Sequence, residues 1–249
     1  MPQIVFPLQH KTVVVTGGTS GIGYELVKQL TLNNRVVVIA RPGPKLDALA
    51  AEFGQVSVYA ADLSNLHECE GVANWLLKQY PNIDVLLNNA AVQYPATMLD
   101  DQFNFESIDY EINLNLTCVC ALTYLLLPAL QEAATKSYIV NMNSALALAP
   151  KTGSAVYCAT KAAVNSFSQS LGYQLAGTTI KVTQVFLPLV DTPMTEGRGR
   201  NKISAAQAAT QTIKGIELGR TTINIGKVKL LRVLFALAPL LARRILRAG

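Results

Sequence analysis

Apolar and polar positions follow two distinct rhythms along the chain. Short runs at 13–16, 36–40, 56–60, 85–88, 138–142 and 181–186 are rich in β-branched residues and almost wholly apolar. A strand covered on both faces needs such a run, whereas a half-exposed strand would alternate. Between them, 25–33, 45–53, 66–80, 107–134 and 156–176 carry apolar residues at helix spacing, with Ser64 as the expected N-cap of the third. Strands and helices in regular succession predict parallel strands, because parallel neighbours need a crossover connection. With a last strand at 221–225, the pattern predicts one α/β domain, a doubly wound parallel sheet of about seven strands with helices on both faces.

Length and composition agree with this picture. The chain has 249 residues, half of them hydrophobic and only 15% charged, enough for a large core and some buried subunit interface. The net charge of +5 gathers in the last third, at Arg198, Arg200, Lys202, Lys227, Lys229, Arg232, Arg243, Arg244 and Arg247. No aromatic-rich basic stripe accompanies it, so nucleic acid is not the expected partner. Cys69, Cys118, Cys120 and Cys158 form no Cys-x-x-Cys pair, and His10 and His67 are the only histidines, so neither a metal site nor a disulfide framework is expected. The first residues run into a strand without a basic, an apolar and a small-residue segment in turn, which points to a reducing, cytoplasmic setting.

The first strand is followed at once by Thr16-Gly17-Gly18-Thr19-Ser20-Gly21-Ile22-Gly23 and an amphipathic helix. At this place a doubly wound sheet binds a dinucleotide. Glycines permit a tight turn and close backbone approach, and the helix N-terminus offers free N–H groups to a pyrophosphate. The second strand ends in Ala40-Arg41, where NAD sites usually carry a carboxylate. A guanidinium there can pair with a 2′-phosphate, so NADP(H) is the expected cofactor and NAD(H) the alternative.

Ser144 precedes Tyr157-Cys158-Ala159-Thr160-Lys161. Spacing of four places the Tyr157 and Lys161 side chains on one helix face. A free tyrosine titrates near 10, so proton exchange near neutrality requires lowering it by about 3 units, which a nearby ammonium and an oxidised nicotinamide can help supply. Ser144 can bind a substrate oxygen as charge develops, and Asn113 can hold a water linking Lys161 to solvent. Taken singly, each residue also has an ordinary structural reading.

Together these elements resemble the short-chain dehydrogenase/reductase family from Lys11 to about Ile225. The matches are the glycine motif, Asp62 in Ala61-Asp62-Leu63, Asn88-Asn89-Ala90-Ala91, Asn113, Ser144, Tyr157 with Lys161, and Pro188 to Thr192. The resemblance implies a single-domain Rossmann fold and a homodimer or homotetramer joined through the two longest helices. It also implies that Asp62 and Leu63 meet adenine and that Asn89 and Ala90 lie beside the ribose. Lys161 would hold the nicotinamide ribose, and Val190 and Thr192 would meet the carboxamide. In the chemistry so implied, Tyr157 exchanges a proton with a carbonyl or secondary alcohol while the cofactor exchanges a hydride. Two departures stand out: Ala91 and Leu189 each replace a usual glycine. A cofactor-binding sensor or scaffold without turnover is the second reading.

Substrate walls are expected from Gln93, Tyr94, Ala145, Leu146, Leu189 and Met194, which are mainly apolar and uncharged. Residues 194–204 stand where many relatives carry a longer helical lid, and their arginines read as a solvated loop. The domain is expected to cover 1–226, followed by a basic amphipathic tail at 227–249. The tail's apolar stretch is too short to span a bilayer and is broken by Pro239. It is expected either to pack on the core or a partner subunit, or to lie on a membrane surface. The tail and the Leu189-Val190 pair are also similar to a bacterial subgroup grouped by name with lipoteichoic-acid D-alanylation, a label that specifies no substrate.

Overall fold

The computed structural model describes residues 3–247, so the first two residues of the expected domain and the last two of the tail lie outside the described residues. Seven parallel strands form the sheet: β1 (Thr12–Thr16), β2 (Arg35–Ala40), β3 (Ser57–Ala60), β4 (Val85–Asn88), β5 (Ser137–Ser144), β6 (Ile180–Leu187) and β9 (Thr222–Asn224). They are ordered β3-β2-β1-β4-β5-β6-β9. Strand order reverses between β1 and β4, and at such a switch point the outgoing loops part and leave a crevice.

The apolar runs divide cleanly between the two faces. Val13, Val15, Val36, Val38, Val85, Leu87 and Val140 pack on one side with α1 (Gly21–Leu30) and α2 (Pro44–Glu52). Val14, Val37, Ile39, Leu86, Ile139 and Val182 pack on the other with α3 (Leu66–Gln79), α5 (Cys118–Gln131) and α6 (Ala155–Gln174). The period of two thus sends consecutive valines of one strand into two different cores.

Several elements differ from the sequence expectation. The N-cap of α3 is Asn65, whose side chain accepts from the His67 N–H at 3.0 Å. Ser64 is instead turned back on Asp62, donating from its hydroxyl at 2.8 Å. The helix expected over 107–134 consists of α4 (Glu106–Ile112), a π-helical turn (Asn113–Thr117) and α5. Glu106–Gln131 is apolar and long enough to cross a bilayer by composition, yet its Leu122, Leu126 and Leu130 are buried in the second core.

Beyond β6, two short strands, β7 (Val190–Asp191) and β8 (Ile203–Ser204), pair with each other. Helix α7 (Ala205–Glu217) follows, its N-terminus closed by a reciprocal Ser204/Gln207 capping box. The sequence reading did not single out α7, although Ser-x-x-Gln before an Ala-rich run is a helix start. The tail forms two helices, α8 (Val228–Leu237) and α9 (Pro239–Arg247). Val228 and Leu231 of α8 pack on Phe186 of β6, and Arg232 stacks over the same ring at 4.2 Å.

Candidate active site

A cleft of about 1190 Å³ opens over the carboxyl ends of the strands at the switch point. That exceeds the usual range for a drug-sized ligand, so there is room for a dinucleotide with a substrate beside it. One end of it is the β1–α1 turn. Gly17 has φ +68°, and a Cβ there would lie 2.8 Å from the Ala90 Cα. Gly23 is more constrained, because its Cβ would come within 2.1 Å of the Gly17 carbonyl oxygen. Thr19, Ser20, Gly21 and Ile22 complete the rim, and the first turn of α1 leaves its N–H groups without intrahelical acceptors. Asn89 locks this turn to β4 by donating to the carbonyls of Thr16 and Gly17, each at 2.9 Å. Thr16 Oγ1 in turn accepts from the N–H groups of Asn89 and Ala90 at 3.0 Å.

Asp62, Leu63 and Arg41, where adenine is expected, face the cleft, and Arg41 donates to the Tyr110 hydroxyl at 3.3 Å. Tyr110 reaches Asp62 at 3.4 Å, so one chain of contacts spans this end. Two residues the sequence reading passed over, Tyr110 and Lys45, also line it. Lys45 follows Pro44 at the start of α2, a helix N-terminus of the kind that favours an anion.

At the other end, Ser144 closes β5 and Tyr157 and Lys161 project from the first turns of α6. Tyr157 is 9% exposed and Lys161 5% exposed. The Lys161 Nζ donates to the Met142 carbonyl at 3.0 Å and sits 5.6 Å from the centre of the Tyr157 ring. Burial pushes the phenol up to about 12, with a hydrogen bond from Ser144 pulling the other way. Burial likewise brings the ammonium down to about 8, against the attraction of Glu111. In the free protein, then, desolvation outweighs the lowering of the phenol that the sequence reading expected from its lysine. The Ser144 Oγ accepts from the Leu146 N–H at 3.1 Å, so its own proton is directed at the phenol beside it.

Of the four residues expected to act in catalysis, Ser144, Tyr157 and Lys161 line the cleft and Asn113 lies off it. Its side chain accepts from Thr117 one turn along its own helix. Asn115 faces inward instead, fully buried, accepting from the Val92 N–H at 2.9 Å and donating to the Val92 carbonyl at 2.8 Å and to Thr160 at 3.3 Å. Residues two apart on a helix lie on roughly opposite sides of it, so only one of this pair can point at α6. Asn115 thereby ties the loop after β4 to the residue preceding Lys161.

Glu111, one turn before Asn115, is a further residue the sequence reading missed. It is 2% exposed, accepts from the Tyr94 N–H at 3.3 Å and is pushed up to about 7 by burial. The folded protein therefore holds a proton here between its ordinary 4.5 and about 7 that the unfolded chain releases. Its stabilising share is full below 4.5 and is lost as pH rises through 7. Urea unfolding at pH 5 and pH 7.5 should show wild type losing on the order of 2 kcal/mol more than Glu111→Gln across that interval. Equal losses would mean that Glu111 stays ionised throughout.

Gln93, Tyr94, Ala145, Leu146, Leu189 and Met194, the expected substrate walls, all line the same cleft, as do Val190 and Thr192. Leu189 takes no left-handed backbone; among the described residues only His10, Ser154 and Asn201 do so without being glycine. Its side chain packs over Gly199. Arg198 departs from the solvated-loop expectation, being half-buried in the wall and donating to Gln93 Oε1 at 2.9 Å and to the Met194 carbonyl. Lys151 and, from the tail, Lys227, Val228, Leu230, Leu231 and Leu234 complete the enclosure. No periodicity in the sequence announces a tail that returns to the mouth of the site.

Residues 11–203 match the family of short chain dehydrogenases. The chain is 32% identical over 233 residues to an uncharacterized oxidoreductase, DltE, of Bacillus subtilis, covering 90% of this chain and 92% of that one. In fold it is similar to a short chain dehydrogenase from Burkholderia cenocepacia solved with NADP, with a TM-score of 0.87 at 21% identity over 98% of this chain and all of the other. A Burkholderia phymatum short chain dehydrogenase/reductase solved with NAD gives 0.82 at 20% identity, over 94% of this chain and 96% of the other. With sequence and fold agreeing over nearly its whole length, the chain belongs to the short chain dehydrogenase family and is an oxidoreductase of that kind.

Proposed function

We propose that this oxidoreductase uses NADP(H) to interconvert a carbonyl and a secondary alcohol, with Tyr157 as the general acid and base. The carrying observation is that a phenol, an ammonium and a serine hydroxyl converge in the same cleft as the glycine turn, buried enough for their charges to act strongly. The backbone cradle at Gly17 to Gly23 fits a pyrophosphate, since a Cβ at Gly17 would strike Ala90 and one at Gly23 the carbonyl of Gly17. Asn89 and Ala90 would flank the ribose, and Lys161 would hold the hydroxyls of the nicotinamide ribose. Val190 and Thr192 would fix the carboxamide. When bound, the nicotinamide gives or takes a hydride at carbon.

The protein's part is proton and charge management. In reduction, Tyr157 hands its proton to the substrate oxygen, and Ser144 donates a hydrogen bond to the same oxygen as negative charge builds there. Lys161, anchored by the Met142 carbonyl, supplies positive charge beside the phenol. Asn115, rather than Asn113, keeps α6 in register with the loop after β4 and so fixes where Lys161 sits.

Related folds hold either dinucleotide, so the choice of cofactor rests on the chain's own residues. Arg41 and Lys45 offer two cations at the 2′ position of the adenine ribose, and no carboxylate ends β2. The test is kcat/KM with NADPH and with NADH over a panel of ketones and aldehydes. NADPH should be preferred by at least about tenfold, and a preference for NADH would overturn the cofactor assignment. Binding of NADPH without turnover on any carbonyl would favour a sensor. We further infer a homodimer or homotetramer through α5 and α6, whose Tyr124 and Tyr173 stand exposed. Light scattering that returned a monomer mass would count against it.

A further inference from the structure

We propose that α8 and α9 seat the mouth of the cleft on an anionic bilayer surface, and that the substrate is a lipid-soluble carbonyl or alcohol drawn in along α8. The inference rests on the oxidoreductase reading for its chemistry and on three separate observations for its location.

The first is a second apolar stripe on α8. Val228 and Leu231 already satisfy the inward face against Phe186. Leu230, Val233 and Leu237, at i, i+3 and i+7, form another stripe on the outward face and are 70%, 55% and 81% exposed. Leu240 and Leu241 extend it onto α9, at 79% and 50%. Folding alone gives no reason for five large aliphatic side chains to stand in water within 12 residues, at 230–241.

The second is charge. Residues 227–249 contain six of the chain's 21 lysines and arginines and no acid, leaving 15 cations against 16 acids in residues 1–226. Arg232 is turned inward over Phe186, and the other five, Lys227, Lys229, Arg243, Arg244 and Arg247, stand exposed on or beside the helices that carry the stripe. Leucine with arginine on a short, Pro-broken helical pair is the composition of a segment lying at an interface, and the sign of the charge selects anionic lipid.

The third is continuity. Leu230 and Leu234 line the cleft itself, as do Leu189 and Met194, which are partly open to solvent at its rim. An apolar path thus runs from the exposed stripe to the pocket that holds Tyr157. A second copy or a protein partner seated on this stripe would cover the entrance, whereas a bilayer would deliver substrate through it.

The test uses the full chain with sedimenting vesicles of phosphatidylcholine alone and of phosphatidylcholine with an equal part of phosphatidylglycerol. The protein should pellet with the anionic vesicles and bind the neutral ones about tenfold or more weakly. Leu237→Glu/Leu240→Glu and, separately, Arg243→Glu/Arg244→Glu lie outside the cleft. Each pair should cut anionic-vesicle binding about tenfold or more while leaving turnover of a water-soluble ketone unchanged, with turnover of a long-chain ketone carried in the vesicles falling in parallel. Failure of wild type to pellet with either vesicle, or variant binding equal to wild type, would overturn the proposal. Because pelleting requires no catalysis, vesicle binding without turnover of any carbonyl would count against the proposed carbonyl–alcohol reaction and leave the docking surface standing.

Discussion

Tyr157→Phe is expected to lower kcat by about 10²- to 10⁴-fold while leaving NADPH affinity within a factor of about two. The substitution removes one oxygen from a side chain that is almost fully enclosed, so the ring keeps its packing in the first turns of α6. What disappears is the proton that must reach the substrate oxygen as the carbon is reduced. The contrast between lost turnover and retained cofactor binding separates a chemical role from a structural one. A Phe variant keeping more than about a tenth of the wild-type rate would remove Tyr157 from the mechanism.

The same phenol fixes the expected pH dependence. Burial holds it at about 12 in the free protein, so it is protonated throughout the ordinary working range and ready to act as an acid. Reduction should accordingly be fast at pH 6–7. Oxidation requires the phenolate and should quicken as pH rises, while Lys161, brought down to about 8, is half-deprotonated there. Rate profiles in both directions would show this; oxidation that slowed steadily from pH 6 to 8 would contradict it.

Gly23→Ala is expected to abolish measurable NADPH binding and to destabilise the fold by about 1–3 kcal/mol. Here the effect is steric. The added methyl would lie 2.1 Å from the Gly17 carbonyl oxygen and 2.5 Å from the Asn89 Nδ2, which itself donates to that carbonyl. Relief requires the β1–α1 turn to open or Asn89 to let go, and either movement dismantles the cradle. Gly54→Ala is the matched control, because among the described residues nothing lies within 4 Å of its added Cβ. Thermal unfolding and cofactor fluorescence titration should separate the two variants, and a Gly23→Ala protein matching wild type in both would show that the turn is not the constraint it looks to be.

Much of this molecule was legible before any coordinates. A continuous apolar run must be covered on both faces, so the strands of the sheet and its two-sided core followed from their composition. The glycine turn and the Tyr157/Lys161 pair were readable because each depends on local spacing, and local spacing is what a sequence contains. Asn113 and Asn115 mark the limit. Both stand in the same Asn-Leu-Asn-Leu run, and the difference between facing α6 and facing away is set by how the π-helical turn rotates the helix.

Glu111 shows the same limit, since an ordinary helix glutamate became a buried carboxyl only when the loop carrying Tyr94 closed over it. Arg198 likewise was a loop arginine until Gln93, more than a hundred residues away in the chain, gave it a partner. The tail composition named two stripes, apolar and basic, but could not say that α8 would fold back over Phe186 and wall the cleft. Periodicity and turn chemistry, which act within a few residues, therefore determined the elements, their order and the kind of site. Azimuth, burial and the company each charge keeps were decided by contacts between distant segments, because those contacts exist only once the sheet has assembled.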